Sequence, residues 1–349
     1  MAKSISKSLA AALVYATFAV YLYHPYFGKF DRWRWLLVVS AALGSAGCYV
    51  LSRRWVKDFA GSLFAGACYG FGPFALSLAK FHPTASLLAA TVPWLFCPAA
   101  FIGAPSKRKM NEQKRVLETG RKWLSLPLSV LPFMVIVVFF QVSAEYRLFA
   151  VPIQTRLQLN DVASLAIPLV MVDRNVTLMG FYHIPIAPLI TGLAMLAAAR
   201  KLWMIAILVL AVALACLDPL LQISPIIWLT VGTTCGAVIA GIGMQGLVSA
   251  GYADRKWILL AAGVTATFSI ATLFLATRYY QVFAGLGARY ARLFTETAKM
   301  YILGTLAVLV IFFLARAKSR AHWLRWAILG ASMGLDIRLG ATSIVDKIF

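Results

Sequence analysis

Acidic side chains are scarce in this sequence: 12 Asp and Glu among 349 residues, against 33 Lys and Arg, for a net charge of +21. Charged residues of both signs make up 13% of the chain and hydrophobic ones 61%, whereas a soluble domain carries about twice that charged share. A water-soluble globule is excluded, and lipid is the main solvent of the chain. Polar linkers and low-complexity arms are missing too, so residues 1–349 read as a single transmembrane helical domain. The apolar residues come in continuous runs, without the period of two that a membrane barrel requires.

Chemistry-bearing motifs are equally sparse. The five cysteines, Cys48, Cys68, Cys97, Cys216 and Cys235, sit inside apolar runs without Cys-x-x-Cys spacing. They read as small buried hydrophobes, not as a disulfide or zinc framework. His24, His82, His183 and His322 have no metal-ligand spacing among themselves. There is no phosphate loop, no His-Glu-x-x-His and no paired-aspartate motif, so neither a metal nor a cofactor is expected. Gly241-Ile242-Gly243-Met244-Gln245-Gly246 fits the letter of the dinucleotide fingerprint but sits in an apolar helix with no preceding strand. Its glycines are expected to let helices approach closely, as are Gly61, Gly66, Gly70, Gly72, Gly330 and Gly334. The basic stretch 106–123 holds a single aromatic, Trp123 at its end, and lacks the interleaved stacking aromatics of a nucleic-acid surface, so no nucleic-acid partner is expected.

What the chain has in quantity is apolar length. Runs that span a bilayer, or nearly so, fall at about 9–23, 35–51, 59–79, 86–104, 124–143, 176–199, 202–217, 224–246, 257–277 and 300–315. The fold class is therefore an all-α polytopic integral membrane protein with about ten transmembrane helices. Lys107, Arg108, Lys109, Lys114, Arg115, Arg121 and Lys122 crowd one connection against Glu112 and Glu118, which marks the cytoplasmic face. Counting spans outward from it places Lys3, Lys7, Arg53, Arg54, Lys57, Arg200, Lys201, Arg255, Lys256 and the cluster from Arg316 to Arg325 on that same face. Both termini are then cytoplasmic, the expected membrane is the bacterial inner membrane, and the basic loops meet anionic lipid. Ten helices also divide into five and five, the arithmetic of an inverted repeat.

One stretch departs from this pattern. Between Asn160-Asp161 and Asp173-Arg174-Asn175 lie eleven uncharged residues, about 16 Å of helix against a hydrocarbon core of about 30 Å. The segment from about 144 to 175 is thus expected to be re-entrant or interfacial, with its polar ends gathered at the outer mouth. A rival parse threads residues 162–182 through the bilayer as an eleventh helix, at the cost of burying Asp173 and Arg174. Asp161, Asp173, Arg174, Asn175 and His183 are the candidate substrate-binding residues, able to hold a polar headgroup or solute or to pass a proton. Catalytic residues are not identified.

Two further segments read as surface elements. From 278 to 299, Phe283, Leu286, Tyr290 and Leu293 line one face while Arg289, Arg292, Glu296 and Lys299 line the other, which predicts an outer amphipathic helix. After Ala321, Trp323 and Trp326 and a short apolar run lead to Asp336 and Arg338, which predicts a surface or half-inserted tail. Pro93, Pro98, Pro127, Pro132, Pro185 and Pro188 mark the middle helices as kinked. Three functions remain open: a carrier or flippase for a small polar or lipid-linked substrate, a non-catalytic anchoring subunit docking an acidic partner, and a membrane-embedded enzyme acting on a lipid-linked substrate.

Overall fold

Long apolar runs with few charges leave the backbone one way to satisfy its hydrogen bonds in lipid, and every described element is accordingly helical. The computed structural model describes residues 2–78, 83–102, 124, 127–139, 141–142, 159–172, 180–200, 203–217, 223, 225–251, 254–282, 287–316 and 321–349. The first part of the chain forms α1 (Ala2–Tyr23), a 3-10 turn (His24–Lys29), α2 (Trp35–Ser52), α3 (Phe59–Gly70), α4 (Pro73–Ser77) and α5 (Pro83–Ile102), then α6 (Pro127–Phe139). Two short pieces, α7 (Leu159–Ala163) and α8 (Pro168–Met171), precede α9 (Ile186–Ala198) and α10 (Trp203–Cys216). A 3-10 turn (Pro225–Trp228) leads into α11 (Leu229–Ser249), followed by α12 (Arg255–Val282), α13 (Gly287–Arg316) and α14 (His322–Val345).

Among the described residues, seven segments are long and apolar enough to cross a membrane: α2, α3 with α4, α5, α11 with its 3-10 turn, α12, α13 and α14. Seven is fewer than the ten expected, and the membership differs. Helices α6, α9 and α10 are apolar but only 10–17 residues long. Helix α14 joins the set, although its residues read as a surface tail. Its buried face, Leu329, Ser332, Met333, Asp336, Ile337, Gly340, Ala341 and Ile344, keeps a helical period straight through Asp336, so the acid does not end the helix.

The outer amphipathic helix expected at 278–299 is not a separate element. Residues 278–282 are the last turn of α12 and residues 287–299 the first turns of α13, a 30-residue helix, while Phe283 and Leu286 lie outside the described residues. Tyr290 and Leu293 are half-buried: with Phe294 of the same helix they pack with Tyr279 and Ala276 of α12 and Val170 of α8. Amphipathicity here marks a helix whose apolar stripe faces another helix. Of the segment 144–175, residues 159–172 are described. They form α7, a turn and α8, and α8 lies against α13 and α14.

The centre of the bundle is α11, packed on α9, α3 and α10 through small residues. A Cβ on Gly243 would stand 1.7 Å from the Pro188 carbonyl oxygen and 2.7 Å from the Gly192 nitrogen, so α9 and α11 touch backbone to backbone. Gly334, expected to serve likewise, faces open space.

Cross-contacts bring the basic residues Arg54, Lys57 and Arg325 to one end of the bundle, the basic end. The Lys57 amide donates to Gln245 Oε1 at 2.9 Å, Arg54 Nε to the Ala100 carbonyl at 3.0 Å, and Arg325 Nη1 to the Val248 and Ala250 carbonyls at 2.9 and 2.7 Å. The ends of α2, α5 and α11 and the start of α14 therefore share one level. At the opposite end, Arg338 Nη2 donates to the Tyr21 hydroxyl at 2.6 Å and the Tyr26 hydroxyl donates to Asp346 Oδ1. Helices α1 and α14 thus run parallel, and the start of α1 and the end of α14 lie at opposite ends of the pair.

The bond to Asp346 holds Tyr26 in its neutral form and, aided by slight desolvation, pushes its phenol up to about 12. A raised value means the contact stabilises fully below the ordinary value of about 10 and is lost as pH rises through about 12. The thermal midpoint of wild type should exceed that of Tyr26→Phe at neutral pH. The gap should close between about pH 10 and 12; a gap that persists above that window would remove Tyr26–Asp346 as its cause.

Candidate functional site

Proline and glycine set up the irregular backbone at the heart of the site. Pro73 has no amide hydrogen and holds Gly72 extended, at φ −71° and ψ 158°, which separates α3 from α4. The Leu76 amide bonds to the Gly72 carbonyl, and the Phe71 carbonyl is satisfied from elsewhere, by the Tyr182 hydroxyl at 2.7 Å. Tyr182 belongs to a second irregular stretch, residues 180–185, which begins at Gly180 with φ +80°. That glycine adopts a left-handed conformation that a side chain would strain, and the chain then runs buried from Gly180 to Pro188 before and into α9.

Inside this stretch His183 meets Asp336 of α14. Both side chains are shut off from solvent, at 0% and 1% exposure, and His183 Nδ1 lies 2.8 Å from Asp336 Oδ1. The other carboxylate oxygen accepts the Ile184 amide at 2.7 Å, so one carboxylate pins both the ring and the backbone of the stretch. Tyr301 of α13 completes the surroundings: its ring stands edge-to-face with the imidazole at 5.0 Å and 87°. Its hydroxyl donates to the Ala166 carbonyl at 2.5 Å, which ties the turn between α7 and α8 to the same place. His183 Nε2 is buried and, among the described residues, has no hydrogen-bond partner.

The depth of the pair follows from three helices counted from the basic end. Phe71 lies 12 residues beyond Phe59, Asp336 14 beyond His322, and Tyr301 15 before Arg316. At 1.5 Å per residue these are about 18, 21 and 22 Å. The three agree and put the pair about 20 Å along the helices from that end.

Of the residues expected at the site, His183 is at its centre. Asp161 is buried in α7 and its carbonyl accepts the Ser164 hydroxyl at 2.5 Å; the turn that follows reaches His183 through Tyr301. Asp173, Arg174 and Asn175 lie outside the described residues. Asp336, the direct partner of His183, was missed, because an acid in an apolar run reads as the end of a span. The signal was present: small and apolar residues continue at helical spacing from Ile337 to Val345.

The helix break also falls elsewhere than the prolines suggested. Helix α5 runs unbroken through Pro93 and Pro98, and Pro185 stands at the start of α9. A separate cleft of 420 Å³ opens at the far end, lined by Thr17, Tyr21, His24, Tyr26, Thr342 and Asp346 among others. Among the described residues no three His, Cys, Asp or Glu side chains come together as a metal site would need. No family profile, curated protein or solved structure matches the chain.

Proposed function

We propose that this multi-pass membrane protein is a carrier or flippase for a small polar or lipid-linked substrate, with His183 and Asp336 at its working centre. The observation that carries the reading is a paired, ionisable couple buried on an unwound backbone beside a broken helix, about 20 Å along the helices from the basic end. Ionisable groups inside a membrane cost several kcal/mol unless paired, and they mark substrate or ion pathways. Interrupted helices meeting near the midplane are how carriers build such sites. Asp161, with Asp173, Arg174 and Asn175, forms the outer substrate mouth in this reading. The basic end faces the cytoplasm and its anionic lipid, which the gathering of Arg54, Lys57 and Arg325 at one level supports.

An enzyme acting on a lipid-linked substrate has one observation in its favour. An imidazole held at Nδ1 by a carboxylate, with Nε2 unoccupied, is arranged as a general base. Against it, no hydroxyl or thiol of the described residues bonds to Nε2.

One experiment separates the readings. Ile184→Cys, in a background with the five native cysteines replaced, is treated with a membrane-impermeant thiol reagent from either face of oriented vesicles. A carrier alternates its access, so modification is expected from both faces. Modification from one face assigns an enzyme site, and from neither a static anchoring subunit; either result overturns the carrier.

A further inference from the structure

Asp336 accepts from His183 Nδ1 and from the Ile184 amide, and among the described residues no lysine or arginine joins them. The titratable groups near enough to feel its charge are Tyr301 on α13, Tyr182 on the same stretch and Cys68 on α3. These are all acids that are uncharged at neutral pH. With a neutral imidazole the site carries a net charge of −1; with an imidazolium it carries none. Burying an uncompensated charge costs several kcal/mol, so desolvation favours the state with one more proton. Nδ1 is already taken by Asp336, which leaves Nε2, the buried nitrogen with no partner among the described residues.

The space around the pair excludes anything much larger. A Cβ on Gly340 would fall 2.2 Å from the Tyr182 ring, and one on Gly304 would fall 3.1 Å from Ile184. The Tyr301 ring closes a third side. We infer that the His183–Asp336 pair is the binding site for a single exchangeable proton, taken up at His183 Nε2 and drawn from water on one face and returned to water on the other. The inference rests on this pair being the working centre of the proposed carrier, and it makes the proton the coupling ion.

The test uses the full chain, labelled with ¹⁵N-histidine and held in lipid nanodiscs. The His183 resonances are assigned by their loss in His183→Gln. In wild type at pH 9 the ring is expected as the Nδ1–H tautomer, and on acidification to pH 5 it should gain one proton at Nε2. In Asp336→Asn, at any pH where wild type is partly protonated, the imidazolium-to-imidazole ratio should fall at least about tenfold, the effect of removing an adjacent opposite charge. A wild-type ring that keeps one tautomer and one protonation state from pH 9 to 5 overturns the inference, and so does an unchanged ratio in a monodisperse Asp336→Asn. Neither result depends on transport. A protein labelled at position 184 from both faces whose His183 does not titrate loses the proton site but stays a carrier. One whose His183 titrates but is labelled from neither face loses the carrier reading.

Discussion

Asp336→Ala should be the most damaging single substitution at the site, lowering stability by about 3–5 kcal/mol, the usual cost of breaking a buried pair. Among the described residues the carboxylate is the only partner of His183 Nδ1, and it holds the Ile184 amide in an unwound stretch with no helical ladder to fall back on. Removing it leaves two buried donors unmet, at about 1–3 kcal/mol each. Asp336→Asn keeps an oxygen for the Ile184 amide and should lose less. The informative variant is the double replacement His183→Leu with Asp336→Leu. Exchanging a whole buried pair for apolar side chains is often neutral or stabilising, so the double variant should melt above Asp336→Ala while doing nothing in vesicles. Fluorescence-monitored melting of detergent-solubilised protein measures all three. Should Asp336→Ala melt with wild type, the carboxylate does not hold the 180–185 stretch in place.

Gly243→Val tests the contact that closes the bundle, and it should abolish monodisperse protein. The first side-chain atom alone would enter the Pro188 carbonyl oxygen and the Gly192 nitrogen. Neither is the movable end of a side chain. Overpacking against side chains costs about 1–3 kcal/mol; against two backbones the helices must separate, and the cost lies at or beyond that upper figure. Gly334→Ala is the matched control, because nothing stands within 4 Å of the new methyl. There the better helix propensity of alanine should leave stability unchanged or raise it by up to about 1 kcal/mol. Size-exclusion profiles of the two variants decide the matter: a monodisperse Gly243→Val would mean that α9 and α11 do not meet as described.

Most of the helices were legible from apolar length alone. The places where that reading fails share a cause, which is that hydropathy scores a residue without its partners. Asp336 counts as polar on its own but is satisfied by His183, 153 positions away in sequence. The stripe through Tyr290 and Leu293 looks like a lipid-facing surface until α12 and α8 cover it. The break at Gly72-Pro73 falls inside the run 59–79, which reads as one span, and nothing local says that the Phe71 carbonyl is met by Tyr182, 111 positions on. His183 was read with the polar cluster around Asp173 and inside the apolar run 176–199, and nothing local says that the backbone at 180–185 is irregular or that Asp336 is its partner.

The sequence by itself determined that the chain is helical, that lipid is its main solvent and where its apolar runs lie. These follow from composition and local spacing, and the bilayer enforces them residue by residue. Only the tertiary structure decided that the tail is a full helix, that its lone mid-helix acid belongs to His183, and that two interrupted stretches meet at one depth. Inside a membrane a polar group is set by what pairs with it, and that partner lies across the fold and not along the chain.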